Sequence, residues 1–141
     1  MIALELKSDL FYILGHSEGR GQRMTKRDYL GHFEQMVLFA LIRLGSNAYG
    51  VTIRQVIESR TGRTTAIGAV YATLERLEQK GFVSSRWGEP SPERGGRAKR
   101  FYSIRAPGQR ALREALAATD AMAEGVREAL ASSMAWGWRH V

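Results

Sequence analysis

Cysteine is absent from all 141 residues. Its absence excludes disulfide staples and thiolate metal sites, and leaves the redox compartment unconstrained by cysteine. No apolar run reaches the ~18 residues of a membrane span. The three histidines, His16, His32 and His140, are scattered without ligand spacing, and no nucleophile lies beside a plausible base. Gly95-Gly96 lacks the G-x-x-x-x-G-K-[ST] pattern of a phosphate-cradling loop. The expectation is a protein without metal, cofactor or catalytic site. Proline occurs three times, at Pro90, Pro92 and Pro107, and each marks a change of structure.

Positive charge is plentiful. Twenty-one Lys and Arg against fourteen Asp and Glu give a formal charge of +7 and a pI near 10.2, which favours a polyanionic partner such as double-stranded DNA. The length suits one domain with an appendage, and the location read from these features is cytoplasmic.

The chain is organised around residues 66–105. Ile67, Val70, Leu74 and Leu77 recur at steps of three, four and three, predicting a helix over Ile67–Lys80 buried on one face and closed by Gly81. The opposite face holds Gly68, Ala69, Ala72 and Thr73, with Arg76 one turn on. Such small residues allow close approach to a duplex major groove. A strand-like run, Phe82–Trp87, leads into G-E-P-S-P-E-R-G-G-R-A-K-R and a returning strand. From 86 to 100, five cations (Arg86, Arg94, Arg97, Lys99, Arg100) face two acids (Glu89, Glu93). Proline and glycine make the tip a long hairpin loop with a basic descending arm. A helix followed by a basic hairpin is the layout of a winged helix-turn-helix. The fold class expected is mainly α with a small β-hairpin and a C-terminal dimerisation helix.

Residues 1–27 form an N-terminal extension without an assigned role. Lys7 and Asp9 interrupt any signal-peptide core, 16–23 is a Gly-rich linker, and Met24 offers an alternative start. Residues 28–106 comprise the DNA-binding domain. Its first helix, Asp28–Leu44, is apolar on every side from Met36 to Ile42, so a partner chain is expected to cover Met36 and Phe39. Asn47 is expected to cap a second helix, Ala48–Arg60, which buries Ile53, Val56 and Ile57 and ends at Thr61-Gly62. Tyr49 reads equally as a phosphate contact or a packing residue. Arg76 reads as a base contact or, slightly better, as a surface ion pair. Phe33, Met36 and Phe39 are candidates for an effector pocket, although at helical spacing they are more often core. Residues 107–141 carry the dimerisation helix and tail. One helix is expected from Pro107 to about Met134, with Leu112, Leu116, Thr119, Ala123, Val126 and Leu130 as a weak seam of 3.5-residue period. Trp136 and Trp138 end it with a packing role.

Four motifs together resemble the PadR-like family of bacterial transcriptional regulators: L-G-H-F-E-Q-M-V-L (30–38), A-Y-G-V-T-I-R (48–54), G-A-V-Y-A-T-L-E-R-L-E-Q-K-G (68–81) and G-E-P-S-P-E-R-G-G-R-A-K-R-F-Y (88–102). The last two in this order are the specific ones. The resemblance covers about residues 30–134. It implies a winged-helix domain with a C-terminal dimerisation helix, usually a repressor and often released by small aromatic or cationic amphiphilic effectors. The resemblance makes Ile67–Lys80 the recognition helix, with Gly68 and Tyr71 at DNA-proximal positions, and Gly95, Gly96, Arg97, Lys99 and Arg100 the wing. From the residues themselves, N–H groups and hydroxyls around Thr64, Thr65, Ile67 and Gly68 are expected to meet phosphates, Ala72 to face the groove, and Arg94 to add a phosphate contact. Two copies in a symmetric homodimer are expected to read half-sites about one helical turn apart, a palindromic operator. Relatives commonly carry Ser just before the recognition helix. Here stands Ala66, which cannot cap, so Thr65 or Thr64 is expected to do so. The rival readings are a dimeric small-molecule- or protein-binding module without operator binding, and a nonspecific architectural DNA binder.

Overall fold

The computed structural model describes residues 29–90 and 97–137, with side chains through Ser133. The expected N-terminal extension, Asp28, the wing-tip residues Arg94, Gly95 and Gly96, and Trp138 lie outside the described residues. Three helices come first: α1 (His32–Leu44), α2 (Gly50–Thr61) and α3 (Ile67–Gln79). An antiparallel hairpin follows, β1 (Val83–Trp87) with β2 (Arg100–Ile104), in a register that sets Val83 opposite Ile104 and Trp87 opposite Arg100. Then come α4 (Ala106–Ala123) and α5 (Val126–Gly137). The mainly helical architecture with a small hairpin is the one expected.

Several boundaries differ from the sequence reading, each for a local reason. Helix α1 begins at His32, because the Glu34 carboxylate folds back to accept the Gly31 N–H at 3.0 Å. The Asn47 cap is also corrected. Asn47 closes a short 3₁₀ turn, Gly45–Asn47, and Tyr49 takes the N-cap position of α2. The cause is tertiary: the Ala48 carbonyl accepts the Tyr102 N–H at 2.8 Å, which keeps Ala48 extended beside β2. The Thr52 hydroxyl then does the capping, accepting the Tyr49 N–H at 3.0 Å and donating to the Asn47 carbonyl at 2.7 Å. Helix α2 ends at Gly62, whose φ of 68° closes the turn in the left-handed region.

Helix α3 supplies the centre of the core. Val70, Leu74 and Leu77 are fully buried against Val37, Leu38 and Leu41 of α1, Ile53 and Ile57 of α2, and Phe82, Val83 and Tyr102 of the hairpin. Ile67 is only half-buried at the first turn. Thr73, read as outward-facing, is instead buried. Its hydroxyl accepts an N–H from Arg76 at 3.1 Å, so a small polar side chain sits at the core margin with its oxygen satisfied.

The expected single C-terminal helix is broken. Gly125 adopts φ 75°, a conformation that leaves the helical region, and separates α4 from α5. Leu112, assigned to a dimer seam, packs into the chain's own core with Ala111. Leu116, Val126 and Leu130 remain exposed, joined by Met122 and by Ile42 on α1. The start of α4 is pressed onto the hairpin base at Gly108, where an added Cβ would stand 2.3 Å from the Phe82 carbonyl oxygen. Backbone cannot yield there as a flexible side chain would. Gly108→Ala is expected to cost about 1–3 kcal/mol and to lower the thermal unfolding midpoint by several degrees, as read by circular dichroism. An unchanged midpoint would show that α4 is not seated on the hairpin.

Candidate nucleic-acid interface

The outward face of α3 is bare. Gly68, Ala69 and Ala72 are exposed, and nothing lies within 4 Å of the position a Gly68 Cβ would take. No side chain caps this end of the helix, whose N-cap residue is Ala66. The expected threonine cap is corrected: the Thr65 N–H donates to the Glu58 carboxylate at 3.1 Å, and the Thr65 hydroxyl turns to the Arg63 carbonyl at 3.5 Å. The Ala69 N–H already donates to the Ala66 carbonyl at 3.1 Å, so the Ile67 and Gly68 N–H groups are the ones left open beside a smooth face.

Beside this face, Tyr49, Val51, Tyr71, Trp87, Arg97, Ala98, Lys99, Arg100 and Tyr102 surround a cleft of about 440 Å³. The chain brings them together from four places: the start of α2, the middle of α3, and both arms of the hairpin. Five of the residues singled out in the sequence meet here, Tyr49, Tyr71, Arg97, Lys99 and Arg100. Tyr71 is 46% exposed and lies over Gly50, where a Cβ would come 2.4–2.7 Å from its ring and hydroxyl. Gly50 is thus required for Tyr71 to rest against the beginning of α2. The Tyr49 ring packs edge-on to Phe101 at 5.6 Å, and the Lys99 ammonium sits 4.4 Å above the same ring. Tyr49 thus packs against the hairpin and also lines the cleft. Arg86 stacks on the other side of the hairpin, 4.8 Å over Phe101.

Arg100 is held differently. Its Nη2 approaches Glu78 Oε2 of α3 at 3.1 Å and donates to the Ser85 hydroxyl of β1 at 2.8 Å, while Nε donates to the same hydroxyl at 3.0 Å. The Ser85 hydroxyl donates in turn to Glu78 Oε1 at 2.7 Å. Burial pushes the Tyr102 phenol beneath it above its ordinary pKa, with the Arg100 charge opposing. Arg76 has the Thr73 hydroxyl as its partner and stays exposed on the next turn of α3.

The remaining site candidates lie on the other side of the α3 entrance. A cleft of about 470 Å³ is lined by His32, Phe33 and Met36 of α1, Ile57 and Thr61 of α2, the turn Arg63, Thr64, Thr65 and Ala66, and Ala69. Phe33 and Met36 line it as candidate effector residues, but among the described residues neither Phe39 nor any residue of α4 and α5 does. The sequence reading missed Trp87, 69% exposed on β1, and the Glu78–Ser85–Arg100 cluster. A tryptophan ending a strand that alternates buried and exposed positions was a signal for the first. Pairing across three elements left no signal for the second. Among the described residues no group of His, Asp and Glu is arranged to hold a metal ion, and no helix is long and apolar enough to cross a membrane.

Comparison with known proteins places this geometry in a family. Residues 37–114 match the model of the transcriptional regulator PadR-like family. An uncharacterised protein of Lysinibacillus sphaericus is 31% identical over 94 residues, spanning 64% of this chain and 82% of that protein. A PadR-like transcription factor from Bacteroides fragilis superposes with a TM-score of 0.57 at 23% identity, covering 68% of this chain and 87% of that one. Bacillus subtilis PadR, solved in complex with operator DNA, superposes with a TM-score of 0.52 at 21% identity, covering 60% of this chain and 47% of that one. These structures share the winged-helix fold. The chain belongs to the PadR-like family of transcriptional regulators, whose members regulate transcription and are not enzymes.

Proposed function

We propose that this regulator is a sequence-specific, dimeric repressor that reads a palindromic operator. The observation that carries the reading is the bare Gly68–Ala69–Ala72 face of α3, flanked on one side by a wall bearing Tyr49, Tyr71, Arg97 and Lys99. A groove edge can approach such a face to backbone distance, while cations and the open N–H groups of the helix start fix phosphates. Bacillus subtilis PadR was crystallised on operator DNA, which supports the same use of the fold here. The exposed Leu116, Met122, Val126 and Leu130 on α4 and α5, with Ile42 of α1, support a second copy as their cover. Two copies would set two recognition helices about one helical turn apart on the duplex. The site of action is the cytoplasm, with the chromosome.

Ligand response is assigned to the 470 Å³ cleft, whose size is that of a small-molecule site. One of its walls is the Arg63–Ala66 turn that sets the entry angle of α3, so a small aromatic or amphiphilic effector there would press on the recognition helix itself. Filling the cleft by Met36→Trp is expected to abolish release of DNA by planar aromatic amphiphiles while operator affinity is kept. Retained release would remove the cleft from the mechanism.

The operator reading is tested by titrating the chain with DNA from upstream of its own gene against an unrelated duplex, at rising salt. Selective, salt-steep binding is expected. Arg97→Ala/Lys99→Ala should lower the salt slope by about 1.8 per bound protomer, at about 0.9 per phosphate. Equal, weak binding to both duplexes would leave a dimeric module with another partner. Leu116→Glu/Leu130→Glu should sediment as a monomer and lose cooperative operator binding, and a wild type that sediments as a monomer would contradict the palindrome.

A further inference from the structure

Within the basic hairpin, one cation is set apart by its surroundings. Arg97 and Lys99 lie in the stretch leading into β2, whereas the Arg100 guanidinium is turned toward Glu78 and Ser85, with Trp87 and Tyr102 rings 5.7 and 5.6 Å away. Three elements meet in that cluster: Glu78 on α3, Ser85 on β1 and Arg100 on β2. The Ser85 hydroxyl, both Glu78 oxygens and two of the three Arg100 nitrogens are used within it. The Ser85 hydroxyl donates to one Glu78 oxygen and accepts from Arg100, while the other Glu78 oxygen accepts from Arg100. A guanidinium fork that binds a carboxylate and a hydroxyl in fixed directions sets angles in a way that a single ammionium point charge does not.

We propose that Arg100 is a positioning residue, which through Glu78 and Ser85 fixes the angle between the recognition helix and the wing, and that it is not one of the wing's phosphate contacts. The inference rests on the operator-binding reading above. The ion pair is only partly buried, with side-chain exposures of 41% for Arg100 and 35% for Glu78, so its contribution to overall stability is small. Its effect is geometric. The wing touches α3 through the hairpin base and this cluster, and the two DNA-contacting parts must reach their phosphates at the same time. Glu78 is also an acid on the helix that approaches a polyanion. If charge alone mattered, neutralising it would strengthen DNA binding and release Arg100 for a phosphate. Positioning requires the opposite sign.

The experiment uses the full chain and a duplex taken from upstream of its own gene, titrated at several salt concentrations with wild type, Glu78→Gln, Arg100→Lys and the double variant. The positioning role predicts that each single variant binds about fivefold more weakly, that the double variant is no weaker than either single one, and that the salt slope stays unchanged. Arg97→Ala serves as the contrasting cation, with its slope reduced by about 0.9 per protomer. Thermal midpoints close to wild type show that the fold is intact. If Glu78→Gln binds more tightly with a steeper slope, or Arg100→Lys binds as well as wild type, the positioning role is overturned while operator binding stands. If wild type binds neither this duplex nor an unrelated one, the operator reading fails and this inference falls with it.

Discussion

The burial of Val70, Leu74 and Leu77 is the constraint on which the rest of the molecule depends. Each side chain is at 0% exposure, and burying each contributes about 1.5–3 kcal/mol. Because α1, α2 and the hairpin all converge on this one stripe, α3 cannot rotate to cover its other face. A bare surface of glycine and alanine on a helix would ordinarily be a weak point, with nothing to pack. Here it is held outward by the strength of the packing behind it. At the start of the same helix, Ala66 presents neither a capping oxygen nor bulk.

The wing is joined to this centre by backbone as well as side chains. The Ala48–Tyr102 hydrogen bond ties β2 to the approach of α2, and the same pairing moves the start of that helix from Ala48 to Gly50. Gly50 in turn leaves room for Tyr71. A single tertiary bond thus places Tyr49, Tyr71 and the basic arm around one cleft. At the far end of α3, Lys80 reaches back to Glu34 at 2.8 Å, and that carboxylate also caps α1. Both ends of the recognition helix are therefore referred to the other helices and to the hairpin. Its orientation is a property of the whole domain, and pressure on the Arg63–Ala66 turn would be felt along its length.

Much of this was legible in the sequence, where one physical signal dominated. The stripe of α3, the basic hairpin and the Gly62 turn each rest on local periodicity or on residues with narrow backbone preferences, and the structure places Val70, Leu74 and Leu77, the two paired strands and the Gly62 turn as read. The misreadings share a different cause. Asn47 is a good cap by type, yet the pairing of Ala48 with β2 overrides it. Thr65 has the right hydroxyl, yet its N–H is claimed by Glu58 from the preceding helix. Leu112 continues the heptad spacing of Leu116 and Leu130, but periodicity does not say which partner covers a residue, and its own core does. Gly125 lies inside the stretch read as one helix, and no local pattern announces the positive φ that breaks it. The Glu78–Ser85–Arg100 cluster joins residues up to 22 positions apart, which no local pattern encodes.

The central claim is that the small-residue face of α3 lies in a major groove. Guanine N7 faces that groove, so methylation interference across the upstream DNA tests the claim most directly. The account predicts two symmetric clusters of interfering guanines about one helical turn apart, both lost when Gly68→Leu fills the bare face while the fold is kept. Interference that is absent, or that survives Gly68→Leu unchanged, would contradict it.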